Sequence, residues 1–180
     1  MGLDITALSK IRVEDHNMIK LKELLSMPVE EEKELYTFTE NQIGSANNWI
    51  KDMEPGRYFK TEETEEFDFR AGSYSGYGEY RMLISECFLG VTPRLVWENP
   101  KKYEGMPFYE QVDFSDCEGF IGPAVSAKLA KDYREGKDQW KDYIESKFGE
   151  TGNYNYYIQK YDDWTKAFEL ASDNGIIWFA

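Results

Sequence analysis

Between Asn153 and Asn174 the large apolar side chains fall on one stripe. Tyr157, Tyr161, Trp164, Phe168 and Ala171 recur at spacings of three and four, while Lys160, Asp163, Lys166 and Glu169 turn outward. That 3.6-residue period is the mark of an amphipathic helix whose aromatic face must be buried against something else. The rest of the chain therefore has to supply a core. Gly175 stands where a C-terminal cap is expected, and Ile176-Ile177-Trp178-Phe179 is short, apolar and β-prone, so a strand docking into the core should follow the helix.

The remaining elements are read by the same arithmetic of period and punctuation. Leu3, Ile5 and Ala7 alternate with polar neighbours over residues 3 to 13, predicting an opening strand, and a slip near Ala7-Leu8 predicts a bulge there. Residues 17 to 25 are ambiguous, the acidic stretch 29 to 36 leads into Tyr36-Thr37-Phe38 as a surface strand or loop, and Asn41 to Lys51 reads as a short helix. Glu65 to Arg70 alternates as a strand. The glycines and tyrosines of residues 71 to 78 read as a loop, and Glu79 to Leu89 as a helix with Tyr80, Leu83, Ile84 and Phe88 on one face. Residues 91 to 110 are loop-rich, and Val112-Asp113-Phe114 reads as a short buried strand. Pro123, Val125, Leu129 and Tyr133 predict a helix that Gly136 would cap, with Trp140, Ile144 and Phe148 on another. These elements make a single α+β domain over residues 1 to 180. A mixed or antiparallel sheet comes from the first two-thirds, packed by helices concentrated in the C-terminal half.

Charge and composition narrow the function. The 180 residues carry 21 Lys and Arg against 34 Asp and Glu, a formal net charge of −13. Duplex nucleic acid and anionic membranes are recognised by displacing counterions with basic residues, so both are disfavoured as partners. An acidic surface can instead engage a basic site on a protein, or simply keep the chain soluble. No basic start, apolar run and cleavage site combine near residue 1, and no apolar stretch approaches the ~20 residues needed to cross a bilayer. A cytoplasmic location is expected, with Cys87 and Cys117 as isolated thiols in a reducing compartment. Cys87 reads as a small core residue, and Cys117 as the more reactive of the two.

The single His16 removes most imidazole-based catalysis and any zinc site built on several histidines. The reading leans away from an enzyme and implies no cofactor. Residues 69 to 81, Phe-Arg-Ala-Gly-Ser-Tyr-Ser-Gly-Tyr-Gly-Glu-Tyr-Arg, match neither the nucleophile elbow nor the dinucleotide fingerprint. Glycine backbone, hydroxyls, Tyr faces and two arginines ahead of a helix nevertheless suit a small anionic, nucleotide-like ligand, with Arg70, Ser73, Tyr74, Ser75, Tyr77 and Arg81 as its contacts. The competing reading is a tight connection in which glycine supplies unusual dihedrals and tyrosine covers the core. Asp113, Asp116 and Glu118 are weak candidates for a hard cation, and capping of turns and of the helix near Pro123 is the preferred reading of them.

The opening Met-Gly-Leu-Asp-Ile-Thr-Ala, the Phe-Arg-Ala-Gly-Ser-Tyr-Ser-Gly-Tyr segment and Phe-Ser-Asp-Cys-Glu-Gly-Phe-Ile-Gly-Pro together resemble a family of small proteins of phages, prophages and bacterial genomes with no settled activity. The resemblance implies a setting in which small acidic proteins act against host machinery, in the host cytoplasm where phage-encoded. The expectation is a non-catalytic, counter-defence type of binding protein that sequesters the anionic ligand. Its alternatives are an acidic inhibitor of a host protein and a metal-assisted hydrolase.

Overall fold

The structure is a computed structural model describing residues 2–14, 34–39, 49–114, 119–149 and 151–179. His16, Cys117, Asp116, Glu118 and most of the expected helix over Asn41–Lys51 lie outside those residues, as do residues 17 to 25 and 29 to 33.

The described residues form seven strands: β1 (Gly2–Leu8), β2 (Arg12–Glu14), β3 (Glu34–Phe38), β4 (Gly56–Phe59), β5 (Glu66–Ser73), β6 (Gly119–Ile121) and β7 (Ile176–Phe179). A four-stranded sheet runs β5-β1-β7-β6 and a three-stranded sheet β2-β4-β3, and the pairings within both are antiparallel. Six helices accompany them: α1 (Tyr74–Leu89), α2 (Pro93–Glu98), α3 (Pro100–Tyr103), α4 (Tyr109–Asp113), α5 (Pro123–Phe148) and α6 (Gly152–Ala171). The fold is α+β.

Strand alternation sorts the side chains into two cores. In β1, β6 and β7 the residues Leu3, Ile5, Ala7, Ile121, Ile177 and Phe179 belong to the core shared with the helices, where Trp140, Tyr161, Trp164 and Phe168 are fully buried. Leu8, Phe120 and Ile176 fall on the other face, beneath Phe38 and Tyr58 of the small sheet. Each buried aromatic or aliphatic side chain contributes about 1.5–3 kcal/mol, so the sheet is held from both sides.

The long α6 and the strand after it stand where the period places them. Helices α5 and α6 form an antiparallel hairpin in which Trp140 stacks on Tyr161 at 5.4 Å between ring centres. Salt bridges Arg134–Glu169 and Lys137–Asp162 lie along its outside.

Four expectations are corrected. Gly136 does not end a helix: α5 continues through it, because Gly136 is where Phe88 and the Tyr161 hydroxyl press against the helix backbone. The β1 strand stops at Leu8, since Lys10 adopts a positive φ of 50° and turns the chain into the second sheet. Its register irregularity falls between Leu3 and Asp4 rather than at Ala7-Leu8: Leu3 faces Gly72 and Asp4 faces Arg70, leaving Ala71 as the extra residue of a bulge. Val112 and Asp113 belong to helix α4, not a strand, and only Phe114 is extended.

Candidate functional site

No loop exists at residues 71 to 78. Strand β5 runs to Ser73 and α1 starts at Tyr74, with the Ser73 hydroxyl accepting the Gly76 amide at 3.0 Å as an N-cap. Gly72, at φ 136°, supplies the backbone twist that lets strand pass directly into helix. The helical face begins at Tyr77 and continues through Tyr80, Leu83 and Ile84, so burial of that face extends the helix back through the glycines.

This junction divides the six expected ligand contacts. Arg70, Ser73, Tyr74 and Ser75 are exposed around the first turn of α1, a turn without acidic residues. The Arg70 guanidinium lies over Gly2, Lys160 donates to the Arg70 carbonyl oxygen, and the Ser73 and Ser75 hydroxyls are 3.0 Å apart. Tyr77 is buried against Trp164 and Phe179. Arg81 is only 6% exposed, its guanidinium between the rings of Tyr77 and Trp97 at 5.5 and 5.0 Å. Arg70 and Arg81 therefore do not converge on one ligand.

Arg81 instead meets the other segment singled out in the sequence. Its Nη1 donates to the carbonyl oxygen of Phe114 at 2.6 Å. Burial raises the neighbouring Asp113 carboxyl above its ordinary range, against the opposing effects of a 3.3 Å hydrogen bond from Tyr109 and the charge of Arg81. The interior beside it holds a hydroxyl cluster. Tyr80 and Tyr133 oxygens meet at 3.1 Å, Tyr133 donates to Gln111 Oε1 at 2.7 Å, and Tyr161 donates to the Tyr133 carbonyl at 2.7 Å. Burial pushes the Tyr80 and Tyr133 phenols well above their usual value, which makes them structural rather than acid–base groups near neutrality. Cys87 is likewise pushed up to about 12 by burial, so its thiol is a poor nucleophile.

A concavity of the described surface lies elsewhere. A groove of about 1030 Å³ opens where the β1–β2 turn, the segments around Asp52 and Thr61, and the α6–β7 turn come together. Its wall is a set of ordered turns: Lys10 N donates to Asp173 O at 2.7 Å, Ile11 N to Asn174 O at 3.0 Å, and Asn174 Nδ2 to Ile11 O at 2.9 Å. The Thr61 hydroxyl donates to the Lys10 carbonyl at 3.0 Å, and Tyr58 OH donates to Glu54 O at 2.8 Å. Five carboxylates line it, Asp52, Glu54, Glu62, Glu63 and Asp173, against the cations Lys10 and Arg12. Both cations are answered locally, Arg12 by Glu14 at 2.6 Å and Lys10 by Glu65 at 4.0 Å. Asp52 also accepts the Ala124 amide at 2.8 Å in the first turn of α5. None of the five carboxylates makes an ion pair with a described residue, so the described lining of the groove carries excess negative charge.

Sequence reasoning assigned nothing to this groove, because its residues come from segments far apart in the chain. The nearest signal was the density of acid around Asp52–Glu54 and Glu62–Glu66, visible but unplaced until Lys10 and Asn174 turn the strands. No helix among the described residues is long and apolar enough to cross a membrane. Compared with protein-family models, curated proteins and solved structures, the chain has no match in any of the three.

Proposed function

We propose that the chain is a non-catalytic binding protein whose acidic groove receives a basic segment of a protein partner. The observation that carries this reading is the groove itself: five carboxylates around one preformed concavity, with its lining cations already paired. Fixed turns on the wall reduce the ordering cost of binding, and the field of a chain at −13 speeds encounter with a basic site. In the phage-type setting implied by the sequence resemblance, such a protein acts in counter-defence by covering a basic site on a host protein.

Titration of the full chain with a labelled octalysine peptide, followed by fluorescence anisotropy, tests this. Saturable binding that weakens with salt and is lost in the Glu62→Lys/Glu63→Lys variant supports it. The Glu135→Lys/Asp138→Lys variant changes net charge equally on the exposed side of α5, so equal loss in both variants would reduce the interaction to general charge and overturn the groove reading.

A second reading places a small anionic, nucleotide-like ligand at the first turn of α1. It is favoured by the exposed Arg70, Ser73, Tyr74 and Ser75 beside Lys160, in a first turn without acid. Thermal shift with nucleotides and cyclic dinucleotides tests it: a shift that Arg70→Ala abolishes supports it, and no shift with any of them rejects it.

A further inference from the structure

The corner formed by α2 and α3 combines three features. It exposes large apolar side chains: Pro93 and Val96 are the buried face of α2, and Leu95 and Trp97 rise on either flank at 43% and 46% exposure. Met82 is also exposed, on the turn of α1 whose Arg81 lies under Trp97. Secondly, Trp97 is held in place although exposed. Its Nε1–H donates to the Val112 carbonyl at 3.0 Å and one ring face rests on the Arg81 guanidinium, so the other is presented without rotamer freedom to lose. Thirdly, the described residues of the corner carry a small net positive charge in an acidic chain, Arg94, Lys101 and Lys102 against Glu98 and the exposed Glu104. Arg94 pairs with Glu98 at 2.8 Å, whereas the exposed Lys101 and Lys102 make no ion pair with a described residue, Lys102 having only the Tyr103 ring beside it at 5.1 Å.

We infer that this corner is a second docking surface, for an acidic segment of a protein partner that carries aliphatic or aromatic side chains. A rigid, half-exposed Trp is the usual anchor of a protein contact, and the unpaired Lys101 and Lys102 a few residues along the chain select carboxylates. A nucleotide satisfies the lysines and offers nothing to the apolar flank that Leu95 exposes. A basic segment satisfies the apolar groups and is repelled by Lys101 and Lys102. The corner shares no residue with the acidic groove and stands independently of it.

The test uses the 15N-labelled full chain, reading the indole N–H resonance of Trp97, assigned with Trp97→Phe. The probes are the peptide Asp-Glu-Leu-Phe-Glu-Asp, its counterpart Lys-Lys-Leu-Phe-Lys-Lys, and AMP. The expected result is a saturable shift of the Trp97 signal with the acidic peptide, while the signals of the buried Trp140 and Trp164 stay in place. The Lys101→Glu/Lys102→Glu variant, altered only at exposed positions, weakens binding by about tenfold or more. Absence of a shift, an equal response to the basic peptide, a response to AMP alone, or undiminished binding by the lysine variant overturns the proposal.

Discussion

Arg81 and Phe114 are joined by a 2.6 Å hydrogen bond from the arginine Nη1 to the phenylalanine carbonyl, inside a core where the guanidinium also lies between Tyr77 and Trp97. This ties α1 to the end of α4 and fixes the platform on which Trp97 sits. A buried arginine so engaged leaves an unsatisfied carbonyl and a gap when shortened. Arg81→Met should therefore lower stability by about 2–4 kcal/mol, whereas exposed Arg70→Ala should stay within about 0.5 kcal/mol. Urea unfolding of the two variants measures the contrast; similar losses would mean that Arg81 is not the structural residue described.

Glycine positions in two helices are expected to respond with opposite signs. A Cβ on Gly136 would lie 2.7 Å from Phe88 Cε1 and 3.0 Å from the Tyr161 hydroxyl. Phe88 cannot swing aside freely, since it is stacked on Phe108 with ring centres 4.0 Å apart. Overpacking then exceeds the gain in helix propensity, and Gly136→Ala should cost about 1–2 kcal/mol. On α1 a Cβ at Gly78 meets nothing within 4 Å, so Gly78→Ala should stabilise by up to about 1 kcal/mol. Thermal melts of the pair decide it, and stabilisation by both would contradict the packing at Gly136.

Alkaline pH should unfold the protein through its tyrosines. Burial raises Tyr80 and Tyr133 well above the ordinary 10.0 and pushes Tyr109 up to about 12. The native state thus holds these protons more tightly than the unfolded chain does. The stability they confer is complete below pH 10.0 and is lost as the pH climbs from there toward the folded values. Phenolate absorbance of the buried set should appear together with loss of ellipticity. Full ionisation with the fold intact would contradict the burial.

Cys87 should resist alkylation. Its thiol, raised to about 12 by burial, has its Sγ 3.9 Å from the Gln139 carbonyl oxygen. In a Cys117→Ser background at pH 8, iodoacetamide should leave Cys87 unmodified over the time in which free cysteine reacts completely, and should label it once urea is added. Rapid native labelling would show a more open site.

How far these features were legible depended on whether one local period governed the segment. The stripe from Tyr157 to Ala171 and the apolar Ile176–Phe179 were plain, because their burial follows from spacing alone. At residues 71 to 78 the glycines imitated a loop. What decided for helix was burial of Tyr77 and Tyr80 against Trp164 and Trp140, which is tertiary. Gly136 misled for a related reason: a residue that ends helices when exposed permits close packing when a ring lies against it. The acidic groove has no local signature, being assembled from turns at Lys10, Asp52, Thr61 and Asn174.

The place of β7 in the sheet also bears on how the molecule is made. Ile5 pairs with Phe179, and β7 lies between β1 and β6, so the middle of the sheet joins segments from opposite extremes of the described chain. Strand β1 can recruit β5 soon after it is synthesised, but its other edge must wait until both long helices have left the ribosome and β7 has followed. Such long loop closure slows folding, and through that interval the unpaired edge of β1 is open to the wrong partner.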